Sequence, residues 1–166
     1  MNSSSVLREG VLVGLAGAAA VAVWFLLYDL ATGAPFRTPA LLGAVLFEHL
    51  REPSALVIRP KLVLQYTVVH GIAFVLFGVA AAGLFALVDR VRAMLFGLFM
   101  LFCCFEVAFL AAVTVLSEML AGAFSPWAVL CANALASIVM LAMLWSHHAR
   151  SIGRLTAPDD GDAPAR

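Results

Sequence analysis

His70 and Glu106 are ionisable residues that stand deep inside long apolar runs of this 166-residue chain. A charge at the centre of a lipid bilayer costs roughly 2.5–3.5 kcal/mol on insertion scales, so a residue of this kind is a candidate for function by default. An imidazole and a carboxylate can pass a proton, and both ligate iron, zinc or manganese. Tyr66 stands one helical turn before His70, Asn133 and Ser137 stand one turn apart in a later run, and Ser117 falls near the face of Glu106. At about 1.5 Å of rise per residue, His70, Glu106 and Asn133 lie roughly 12, 20 and 9 Å below one membrane surface. These depths predict that His70, Glu106, Tyr66 and Asn133 converge on an outward-opening polar site, with Asp29 and Glu118 near its mouth. Such a site would hold a metal ion on His70 and Glu106, relay protons, or bind a small polar ligand.

The same residues admit a plainer role, a single His–Glu hydrogen bond that fixes helix register. Contacts of that kind average about 0.6 kcal/mol in membranes. One His and one Glu also fall short of the three or four protein ligands of an ordinary metal site, unless a second copy of the chain doubles the count. The sequence has no Glu-x-x-His pair of the di-metal bundle type. Haem held by two histidines needs both at one depth. His147 and His148 close the last apolar run at the opposite surface from His70, and His49 would come near only if its loop dipped inward. No cofactor is assigned on these grounds.

Other chemistry is excluded by pattern. Cys103, Cys104 and Cys131 form no CxxC pair, and neighbouring cysteines on one helix point about 100° apart, so they are expected as buried thiols. Phosphate-loop, nucleophile-elbow and HExxH motifs are missing from the sequence. Glu9 stands at the very start of the first apolar run, unlike the mid-helix carboxylate of small four-helix multidrug pumps. Phe96, Phe99, Phe102, Phe105 and Phe109 form a near-regular series that is expected to pack on helices or acyl chains, or else to line a quinone or lipid groove. With a net charge of zero and no basic run, nucleic acid is not an expected partner.

The elements that must position these residues follow from hydropathy. Hydrophobic residues make up 64% of the chain and charged ones 12%, against about 25% charged in soluble domains, so the surroundings must be lipid. The expected fold is all-α: an integral membrane four-helix bundle, a single transmembrane domain over residues 1–150. Its helices fall at about 10–30, 62–88, 93–119 and 127–147, with a disordered polar tail at 151–166. The first run exceeds the roughly 7–15 apolar residues of a signal peptide and is read as a retained helix. Thr38 and Pro39 read as N-cap and first-turn residues of a short interfacial helix at about 39–50, which is too short to span. Asp29 is expected to snorkel or to pair with Arg37. Trp24, Tyr28 and Trp127 are expected as interface anchors.

Gly10, Gly14, Ala18 and Ala22 recur every four residues and form a small-residue face that admits close helix approach. With four spans, Arg8, Arg90, Arg92, Arg150, Arg154 and Arg166 share one side, and Arg37, Arg51, Arg59 and Lys61 the other. That excess places the termini in the cytoplasm and the 31–61 loop outside.

The segment DLATGAPFRTPALLG (residues 29–43), followed by YTVVHGIAF (residues 66–74), resembles a pattern in small bacterial four-helix membrane proteins of no known activity. The resemblance covers the first half of the chain and implies a bacterial inner-membrane setting. Two functions are expected in competition. One is a membrane protein with an intramembrane site for a metal ion or protons. The other is a non-enzymatic accessory subunit that uses the small-residue face of the first helix to dock a second copy or a larger membrane complex.

Overall fold

The computed structural model describes residues 3–87, 97, 100, 103, 104, 107, 108 and 125–155. Among them the secondary structure is all helical: α1 (Ser3–Ala31), α2 (Arg37–Glu48), a 3-10 turn (Pro53–Ala55), α3 (Pro60–Leu87) and α4 (Pro126–Leu155), with no strand. Among the described residues three helices are long and apolar enough to cross a membrane, over Ser4–Ala31, Pro60–Gly83 and Trp127–Ser146. Their 28, 24 and 20 residues reach about 30 Å or more at 1.5 Å per residue, the thickness of a bilayer's hydrocarbon core. The segment 93–119, with Glu106, Ser117, Glu118 and the phenylalanine series, lies outside the described residues except at isolated positions.

α1 starts seven residues before Gly10. The extra turns have something to pack on, because Val6 lies against the core and Gly10 is buried. α1 ends in a Schellman closure: Gly33 takes φ 75°, its N–H bonds to the Leu30 carbonyl at 3.1 Å, and the Ala34 N–H reaches the Asp29 carbonyl at 2.9 Å. Two otherwise orphaned helix-end carbonyls are satisfied this way. α4 runs on to Leu155 and so covers the first five residues of the expected tail. Pro158, the first proline beyond it, comes only three residues later.

α1 and α3 are the closest pair. A Cβ built on Gly78 would lie 2.2 Å from the Gly10 carbonyl oxygen, and one on Gly14 would lie 2.4 Å from that of Phe74. Backbones this near need glycine on both sides. The small-residue face of α1 is thus covered by α3 of the same chain: Gly10, Gly14 and Ala18 are buried, and only Ala22 is exposed. α4 packs on the same core with Ala132, Ala136, Met140 and Leu144, against Val13, Val21 and Phe74. Trp24 ties α1 to α4 by donating its indole N–H to the Ala128 carbonyl at 2.9 Å.

α2 buries Ala40, Leu41, Ala44 and Val45. It lies so close to the start of α3 that a Cβ on Gly43 would fall 2.5 Å from the Leu62 carbonyl oxygen. Its outer end carries an exposed ion pair between Glu48 and Arg59, an interaction worth about 0–1 kcal/mol.

Candidate functional site

The N-terminus of α2 differs from the expectation. Thr38 is not its N-cap: the helix begins at Arg37, and the cap position is Phe36 with φ 62° and no side-chain cap bond. Pro39 still falls in the first turn, where its missing N–H costs nothing. The capping group comes from another helix. Asp29, at the end of α1, accepts the Thr38 backbone N–H on Oδ2 at 2.7 Å and the Thr38 hydroxyl on Oδ1 at 2.6 Å.

Asp29 therefore neither snorkels nor pairs with Arg37; it is 2% exposed while Arg37 is exposed. The physical reason is that a helix N-terminus offers unsatisfied N–H groups and a positive dipole end, and a carboxylate satisfies both. The Gly33 turn is tight enough to bring Asp29 back onto it. Sequence reasoning missed this contact. The available signal was an acidic residue just before a glycine turn and just ahead of a Thr-Pro helix start.

His70 stands on α3 facing α1. Its Nε2 lies 3.3 Å from the Ala18 carbonyl oxygen. A carbonyl can only accept, so Nε2 carries the proton, and in its neutral form the ring would keep Nδ1 as its lone-pair nitrogen. Tyr66 and Phe74 flank the imidazole one turn away on either side, with ring centroids 5.7 and 4.6 Å from it.

Two cavities meet at His70. The smaller, about 140 Å³, is lined by Tyr66, His70 and Asn133 together with Phe25, Phe74 and Ala108. Three of the four residues expected to converge thus surround one space; the fourth, Glu106, lies outside the described residues. Asn133 is buried on α4. Ser137, one turn further along α4, is also buried, and among the described residues its hydroxyl has no hydrogen-bond partner; it lines neither cavity.

The larger cavity, about 220 Å³, lies between α1, α2 and α3. Its walls include Val21, Phe25, Leu42 and Val63, and its polar lining is Asp29, Thr38, Tyr66, Thr67 and His70. Among the described residues no group of three or more His, Cys, Asp or Glu side chains comes together. Cys104 and Cys131 are exposed rather than buried, and Cys103 is intermediate. Cys131 lies on a helix apolar enough to span a membrane, where an exposed thiol would meet lipid or residues outside the described set. Compared with protein-family models, with curated proteins and with solved structures, the chain finds no match.

Proposed function

We propose that this is a multi-pass protein of a bacterial inner membrane. In this reading α1, α3, α4 and the segment 93–119 make a bundle of four spanning helices, α2 lies in the outer interface, and both termini are cytoplasmic. The site centred on His70 handles a proton or a metal ion inside the bundle, with Glu106 as the second ionisable group and Tyr66 and Asn133 as polar neighbours.

The observation that carries this reading is the hydrogen bond from His70 to the Ala18 carbonyl, made where Tyr66, His70 and Asn133 share a cavity. A histidine that ligates a metal or accepts a proton commonly donates its other ring N–H to a backbone carbonyl, which sets the tautomer and the ring orientation. A metal would need donors beyond His70 and Glu106, from the polar neighbours or from a second copy of the chain. An accessory role remains open to other surfaces, but the α1 face offered for docking is taken by α3.

The test is elemental analysis of the detergent-purified protein by mass spectrometry, beside His70→Ala. Close to one metal ion per chain, or one per pair of chains where two copies share it, lost in the variant, is the outcome for a metal centre. If neither protein holds metal, nitrogen NMR of the ring from about pH 4 to about pH 9 tests the proton form. A His70 ring that binds no metal and keeps one protonation state throughout that range would sink the proposal.

A further inference from the structure

We propose that the larger cavity is a binding site for a neutral, hydroxyl-bearing apolar molecule taken from the bilayer. The inference rests on the membrane setting proposed above and on no metal or proton chemistry.

Size sets the first bound. A 150 Å³ apolar cavity stays dry and accepts benzene; this one, about 220 Å³, has room for a six-membered ring with a short chain. Ala22, Val23 and Thr67 line it and are exposed, so it opens sideways between α1 and α3, toward lipid in a spanning bundle.

The polar groups set the second bound. Asp29 and Thr38 are already bonded to each other through both Asp29 oxygens. The Thr67 hydroxyl donates to the Val63 carbonyl at 2.7 Å, and His70 Nε2 is committed to Ala18. Among the described residues this leaves the Tyr66 hydroxyl and His70 Nδ1, which stand one turn apart on α3. A hydroxyl suits that pair, since it can accept from Tyr66 and donate to Nδ1. A carboxylate cannot donate, an ammonium cannot accept, and either charge is disfavoured against walls this apolar.

Phe36 is the third observation. It adopts a left-handed conformation that glycine or asparagine takes at less cost, and its exposed ring lines this cavity. Strain kept at a cavity wall points to a use for the ring, here as a cover over the bound molecule.

The test uses the full chain in dodecylmaltoside micelles with two probes of matched shape, 4-hexylphenol and its methyl ether 4-hexylanisole, titrated by ligand-observed NMR. The expected result is saturable binding of the phenol about tenfold tighter than the ether, the worth of the one buried hydrogen bond that only the phenol can donate. His70→Phe removes the acceptor that only the phenol can use and should reduce that preference to about twofold or less, whereas Tyr66→Phe should weaken both probes alike. Val63→Trp, which fills the space, should remove binding of both probes. Equal binding of phenol and ether would mean an unselective apolar slot and would overturn the proposal. So would no saturable binding, or a preference that survives His70→Phe. The outcome is separable from that of the metal and protonation tests when metal-free protein is used, since a neutral His70 that neither titrates nor binds metal can still accept a hydrogen bond from the phenol on Nδ1.

Discussion

Asp29 shows how far one buried carboxylate can organise its surroundings. Its two oxygens take the backbone N–H and the hydroxyl of Thr38, so one side chain joins the end of α1 to the start of α2. Removing it strands both Thr38 donors in a buried place. Asp29→Ala is therefore expected to cost about 1–3 kcal/mol, read as a lower unfolding midpoint in mixed micelles and faster hydrogen exchange at residues 37–40. Asp29→Asn keeps an acceptor oxygen and the shape, and should lose less. Equal losses in the two variants would mean that the negative charge at the helix end, not the hydrogen bonds, is what matters. At Phe36, substitution by Gly removes the left-handed penalty of about 1–2 kcal/mol for an L-residue. The expected outcome is a midpoint at least as high as the parent's, measured in the same unfolding assay.

At the scale of elements, the α1–α3 contact is the one that substitution should damage most. Gly78→Ala drives a methyl group to within 2.2 Å of the Gly10 carbonyl oxygen. Both atoms belong to backbones, so the helices must part, at about 1–3 kcal/mol for overpacking of this kind. Gly71 lies on the same helix with no atom of the described residues within 4 Å of its Cβ position. Gly71→Ala is expected to be neutral or to gain up to about 1 kcal/mol of helix propensity. Comparing the two midpoints separates close packing from propensity, and a harmless Gly78→Ala would contradict the packing described. Separation of α1 from α3 would also lengthen the His70 to Ala18 bond. The histidine ring signals in Gly78→Ala should then move along with stability.

For the whole molecule, the number of spans decides where the ends lie. The three apolar helices described here would by themselves place the N- and C-termini on opposite sides of a membrane; a fourth span over 93–119 returns them to one side. Reporter fusions at both ends are expected to read cytoplasmic. In a variant lacking the three native cysteines, Ser54→Cys in the loop after α2 is expected to react with a membrane-impermeant maleimide added from outside. Termini that report opposite compartments would remove the four-helix bundle.

Composition and periodicity were enough to determine that the described residues are helical and where their three long apolar helices run, and they singled out His70, Tyr66 and Asn133 as polar residues inside those helices. These properties are local: burial in lipid demands long apolar runs with internally satisfied backbones, and a polar residue inside one is conspicuous. Thr38 and Asp29 were visible as polar residues near helix ends, yet their partnership depends on how the Gly33 turn folds back. The partner of His70 is a backbone carbonyl, which every residue possesses and no residue type advertises. The glycines of α1 announced a close approach without saying to what. Only the tertiary structure decided that α3 fills that face and that Asp29 caps α2. It alone also left a space between α1, α2 and α3, because each of these depends on distances across the chain rather than on spacing along it.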